Sequence, residues 1–191
     1  NRPPGRQTRN GTIHTTNGLG STNLKQNYGG AYAKYLADIL AHFHNNPNKA
    51  EQIDFDFISP VNEPMWEWDG KSQEGNRYSD SDIQAVLIAL DAELHKHHLN
   101  TEIISPESGS LPALYEPVKD LTDEYHTLYG DYANQLPGND KIRKILHDRI
   151  AYHSYGSDLL DTELIQHREA VQKTMEKFKK LRNILYSDGT E

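Results

Sequence analysis

The 191-residue chain contains no cysteine. That absence removes disulfides, thiolate nucleophiles and Cys-ligated zinc from the available chemistry. Positive charge is the minority sign: 20 Lys and Arg stand against 28 Asp and Glu, a formal net charge of −8. A surface of that balance repels phosphate backbones and anionic lipid, so nucleic acid and membrane surfaces are poor partners. No apolar run approaches the ~18 residues a transmembrane helix requires. A P-loop, a Gly-x-Ser-x-Gly elbow and a Cys/His dyad are missing too. Apolar residues make up only 35% of the chain, which is enough for a core but leaves little surplus. The opening Asn1-Arg2-Pro3-Pro4 shows neither an initiator Met nor a signal peptide, which reads as a processed start or an excerpt.

What is present alternates between helix and strand. Residues 1–29 hold Pro3, Pro4, Gly5, Gly11, Gly18 and Gly20 and read as one long loop, with a weak glycosylation pattern at Asn10-Gly11-Thr12. Tyr32, Tyr35, Leu36, Ile39, Leu40 and Phe43 recur at steps of three and four and predict a helix ended by Asn45-Asn46-Pro47. Ile53–Ile58 alternates apolar and acidic residues, a period-two strand that runs into Asn62-Glu63-Pro64. A second helix starts near Ser79 or Ser81 and carries Ile83, Val86, Leu87, Leu90 and Leu94. A strand at Glu102–Ile104 breaks at Ser105-Pro106-Glu107, and residues 110–149 read as helical pieces. A third strand, Ile150–Tyr152, meets His153-Ser154-Tyr155. After one more helix, a fourth strand is expected at Asn183–Tyr186, before Ser187-Asp188. Such alternation implies parallel pairing with crossovers. Each strand ends in a polar, ionisable cluster, as at the catalytic face of a (β/α)8 barrel. An open doubly wound sheet also places sites there, but its Gly-rich dinucleotide turn is absent. The expected fold class is therefore α/β, of (β/α)8 TIM-barrel type.

Glu63 is the first candidate for chemistry. A carboxyl fixed at a strand end and shielded by aromatic walls is disfavoured in its charged form, and so can donate a proton near neutrality. Asn62 offers donors and an acceptor to a sugar hydroxyl. The plainer alternative is that Asn-Glu-Pro only stops the strand. Trp66 and Trp68, the chain's two tryptophans, either stack on sugar faces or pack beneath the loop. Gln73, Glu74, Arg77 and Tyr78 add hydrogen-bonding groups or form a solvated surface. His153 and Tyr155 point to one side if the strand continues. A lone strand-end His is more often structural. His42 and His44, like His95, His97 and His98, sit at spacings that can bind metal, but no acidic residue completes a known pattern. No metal or organic cofactor is expected.

The stretch Phe57-Ile58-Ser59-Pro60-Val61-Asn62-Glu63-Pro64-Met65-Trp66-Glu67-Trp68, followed by Gln73-Glu74-Gly75, resembles glycoside hydrolase family 30, nearest its bacterial endo-β-1,6-galactanase-like branch. Pro3-Pro4, Thr8–Gly11 and Asn23–Lys25 are similar to the loop after barrel strand three. Ile104–Glu107, Ala151–Tyr155 and Ile184–Asp188 are similar to strands five, six and seven. The resemblance covers essentially the whole chain, as one partial catalytic domain over 1–191. It implies strands four to seven of an incomplete barrel, with the missing strands supplied by the parent chain. It also implies a retaining, two-carboxylate hydrolase acting on a β-linked polysaccharide of the β-1,6-galactan or β-1,6-glucan class, secreted or periplasmic. Glu63 matches the acid/base and Asn62 the residue that bonds the sugar 2-hydroxyl. His153 and Tyr155 match pocket residues, and Trp66, Trp68 and Glu107 join them as substrate-binding candidates.

Asp188 departs from the family, which has Glu at the nucleophile position after Ser. The shorter side chain withdraws its oxygens by about 1.5 Å, against a retaining separation of about 5–5.5 Å. Glu191 substitutes only if the loop re-routes. Gln7 and Gly189 also replace a family Met and an aromatic residue. These departures keep two alternatives open, a carbohydrate-binding pseudoenzyme and a fragment without function of its own.

Overall fold

The structure, a computed structural model, describes Leu24 and residues 27–66, 77–118, 130–147, 149–155 and 160–177. It also gives the backbone of residues 178–187 and of two short strands, β1 (Thr15–Thr16) and β2 (Leu19–Gly20). These two pair as an antiparallel hairpin within the segment expected to be loop.

Helix α1 spans Gly29–His44. Its buried face is Ala33, Ala37, Leu40 and Ala41, while Tyr35 and Ile39 of the expected apolar stripe are exposed. Small residues four apart let α1 lie close against α2 (Asp80–Lys96), and a Cβ built on Gly29 would already lie 3.9 Å from Val86 Cγ2. Hydrophobicity alone favours the large residues. The close approach of the two helices selects the alanines. Helix α2 follows expectation: Ser79 caps it by accepting from the Asp82 amide, and Ile83, Val86, Leu87, Leu90 and Leu94 are all buried.

Strand β3 is only Phe57–Ile58, and it pairs in parallel with β4, Glu102–Ile103. The expected break at Ser105-Pro106-Glu107 is instead strand β5, Pro106–Ser108, parallel to β6, Ala151–Tyr152. Pro106 fits because the ladder's donors here come from its neighbours: the Ala151 amide donates to the Ser105 carbonyl and the His153 amide to the Ser108 carbonyl. Strands β4 and β5 follow one another in the chain and pair with β3 and β6 respectively. Short helices α3 (Pro112–Tyr115), α4 (Tyr132–Gln135) and α5 (Asp140–Ile145) form the second crossover. Leu111, Leu114, Tyr132, Leu136, Ile142 and Leu146 are fully buried there and extend the core made by α1 and α2. Leu121 and Leu128, expected among these pieces, lie outside the described residues.

The fourth strand does not form. Asn183–Tyr186 belongs to α6, which runs from Asp161 to Ser187. Phe178, Leu181, Ile184 and Leu185 continue the helical spacing of Val171 and Met175, and no Gly or Pro interrupts the sequence before Gly189. Nothing therefore stops helix propagation ahead of the expected strand. The described residues thus show two parallel pairs, β3–β4 and β5–β6, and no closed barrel.

Candidate active site

Glu63, from the loop after β3, and His153, the residue after β6, meet Glu107 of β5. Beyond Ile58 the chain turns through Ser59 and Pro60, and the Tyr32 hydroxyl of α1 anchors that turn by donating to the Pro60 carbonyl at 2.8 Å. Glu63 then donates its amide to the Glu107 carbonyl at 2.9 Å, which ties the loop after β3 to β5. Both glutamates adopt left-handed backbone, with φ of 47° at Glu63 and 55° at Glu107. That region costs a non-glycine residue of order 1–3 kcal/mol and is concentrated at functional sites. The cost at Glu63 is the more telling because Pro64 follows and narrows its backbone choices.

The side chains converge as the backbone does. Glu63 is 7% exposed. His153 Nδ1 lies 2.9 Å from Glu63 Oε1, and its Nε2 lies 3.4 Å from Glu107 Oε2. One ring nitrogen thus serves each carboxylate. Tyr155 crosses the His153 ring edge-on at 5.2 Å, and it is exposed. Asn62 is exposed beside Glu63, available to a solute. Trp66, at 42% exposure, stands over Gly109. Five of the expected residues, Glu63, Glu107, His153, Tyr155 and Asn62, therefore belong to one strand-end cluster, with Trp66 at its margin. Trp68, Gln73, Glu74 and Asp188 lie outside the described residues. Arg77 and Tyr78, expected as loop surface or ligand groups, are buried instead. Tyr78 donates its amide to the Pro64 carbonyl and so closes the loop beneath the site.

A cavity of about 230 Å3 adjoins Trp66, and a larger one of about 400 Å3 lies at the opposite end of the strands, around Ile53, Phe55, Phe57 and Arg149. Size would favour the larger. Parallel α/β folds place their chemistry at strand C-termini, and the larger cavity sits at the N-terminal ends of β3 and β4, so the Glu63 end is the candidate site. Among the described residues three histidines outside this cluster have acidic neighbours, His97 with Asp38 at 3.1 Å, His95 with Asp91 at 3.4 Å and His44 with Asp54.

The left-handed backbone at Glu63 and Glu107 and the seat of Trp66 on Gly109 were not foreseen. The sequence held one hint of the seat, a glycine directly after a strand. A family model described as O-glycosyl hydrolase family 30 matches residues 1–187. The chain belongs to that family. The fold is similar to that of a conserved exported protein from Bacteroides fragilis, at 24% identity and a TM-score of 0.67, over 82% of this chain and 31% of that one. It is also similar to an endo-β1,6-glucanase, at 19% identity and a TM-score of 0.57, over 88% of this chain and 33% of that one. No curated protein matches the chain. The chain therefore spans about a third of the length of these solved structures. Family 30 membership and these likenesses give a TIM-barrel-like fold.

Proposed function

We propose that this family 30 chain carries the acid/base side of a glycosidase that cleaves a β-linked polysaccharide, of the β-1,6-glucan or β-1,6-galactan class, outside the cytoplasm. The observation that supports this most is the His153 bridge between Glu63 and Glu107 at the strand ends. A general acid must be held at hydrogen-bonding distance from the leaving oxygen and kept from swinging away. His153 fixes one oxygen of the Glu63 carboxyl, which leaves the other to face the glycosidic bond. Glu63 protonates the leaving oxygen and then deprotonates the incoming water, as a retaining mechanism requires. Asn62, exposed at its side, bonds the sugar 2-hydroxyl. In this reading Asp188 stands at the nucleophile's position. The full-length protein should hydrolyse β-1,6-glucan or β-1,6-galactan with retention at the anomeric carbon, read by proton NMR. Glu63→Gln should lower turnover by at least about a hundredfold. Unchanged turnover removes Glu63 from the mechanism.

One finding favours a second reading, a sugar-binding protein without hydrolysis. Helix α6 runs through Ser187, so no strand leads into Asp188, the residue expected as nucleophile. Asp188→Glu separates the two readings. Hydrolysis gained in that variant supports a decayed enzyme, and sugar binding without hydrolysis in both forms supports the pseudoenzyme.

A further inference from the structure

Gly109 is the first residue beyond β5, two positions after Glu107. Its φ lies outside the left-handed region, so backbone freedom does not explain why glycine stands there. Space does. A Cβ built on Gly109 would overlap the Nε1 edge of the Trp66 indole, and it would lie 2.9 Å from Trp66 Cε2 and 3.0 Å from Met65 Cε. The methionine tip can yield, being unbranched and flexible. The indole is rigid and would have to leave its position.

That position forms one wall of the cavity of about 230 Å3 that adjoins the loop after Glu63 at Met65 and Trp66. Trp66, Pro112, Pro117 and Val118 give it apolar faces, and Ser110 and Glu116 supply polar groups. Drug-sized ligands occupy about 300–1,000 Å3, so this cavity suits a single ring. A pyranose presents a C–H face to an indole and hydroxyls around its rim, which matches such walls. We propose that the cavity is a subsite for one pyranose ring of a β-linked oligosaccharide, and that Gly109 determines its specificity by giving the Trp66 indole the room to form its wall. This assignment rests on the sugar-binding reading of the Glu63 cluster.

The experiment is a mutant cycle on the full-length protein carrying Glu63→Gln, so that ligand is bound and not turned over. Affinity for β-1,6-linked glucotriose or galactotriose is measured by calorimetry in the parent, Gly109→Ala, Trp66→Ala and the double variant. Gly109→Ala should weaken binding by about tenfold, and it should add nothing in the Trp66→Ala background. Gly109→Ala should also shift to the red the part of the tryptophan emission that Trp66→Ala removes, as the indole moves into water. A Gly109→Ala protein with parental affinity and emission overturns the Gly109 assignment alone. So does an equal loss of affinity with and without Trp66. A parent that binds neither trisaccharide overturns the sugar-binding reading and the subsite with it. If Gly109→Ala does not fold, the double variant must, since truncating the indole removes the clash. A double variant that also fails to fold overturns the assignment.

Discussion

Asp80 should make the protein less stable as pH rises through neutrality. It occupies the first turn of α2 and is 5% exposed, and neither carboxylate oxygen has a hydrogen-bond partner among the described residues. Burial, and secondly the nearby Asp131 carboxylate, push the Asp80 carboxyl up to about 7. The α2 dipole pulls the other way, but a helix N-terminus is worth only about 0.3–1 kcal/mol to a carboxylate. From an unfolded value near 3.9 the rise is about three units, or about 4 kcal/mol. The sign follows from which state holds the proton. Below about pH 4 both states are protonated and Asp80 adds no pH dependence. Between about pH 4 and 7 the folded state keeps a proton that the unfolded chain releases, so stability falls as pH rises. Above about 7 the full penalty applies. Asp80→Asn abolishes the titration, and any fixed cost of the new amide is the same at every pH. Urea unfolding of both proteins at pH 4.5 and 8.5 should therefore show the variant gaining on the parent by about 3 kcal/mol across that interval. Asp131→Asn should trim the slope without removing it, because burial is the larger cause. A variant-to-parent difference that stays flat within about 0.5 kcal/mol refutes the account of Asp80 as a buried, unpartnered acid.

Other outcomes follow from the same geometry. His153→Ala should reduce kcat by about a hundredfold while moving KM little, because it misplaces the Glu63 carboxyl without touching ring contacts elsewhere. Steady-state kinetics of the full-length protein checks the split. Leu87→Ala, at a fully buried position of α2, should cost about 2–5 kcal/mol in urea unfolding. Ser79→Ala removes the α2 cap and should cost about 1 kcal/mol in the same assay, far less than Leu87→Ala.

Periodicity made α2 legible because every large apolar residue there faces the core, so pattern and burial coincide. On α1 it found Tyr32, Leu36 and Leu40, which meet the core, but also chose the exposed Tyr35 and Ile39 over Ala33, Ala37 and Ala41, because alanine carries little hydrophobic signal, yet four-residue spacing of alanines is what lets two helices touch. Ile53, Phe55 and Phe57 are half exposed among the described residues, so strand patterning read an apolar stripe that these residues alone do not cover. The fourth strand failed for a related reason. Short apolar runs such as Asn183–Tyr186 fit both periods, and length decides between them. Here the preceding helix supplied twenty-two helical residues of continuity, from Asp161 to Arg182, against four of strand.

The candidate site was legible where chemistry and sequence position agree. Glu63 and His153 each follow a strand, Glu107 lies in β5, and parallel strands bring such residues together whatever their separation in sequence. The bridge itself was not legible. It depends on two glutamates held with left-handed backbone, and nothing in a Glu codes for positive φ. Tertiary bonds impose it: the Glu63 amide reaches the Glu107 carbonyl, and the His153 amide reaches the Ser108 carbonyl. Those two bonds stitch the three strand ends together. The same stitching aims both carboxylates at one imidazole, so the strain and the convergence have a single cause. Relaxing either glutamate to ordinary backbone would point its carboxyl away from His153. Glu63→Gly or Glu107→Gly would adopt the φ more cheaply and lose the acid. Glutamate at these positions therefore accepts a backbone cost of order 1–3 kcal/mol each to keep a carboxyl where the strands end, which is what a site needs and a fold alone does not.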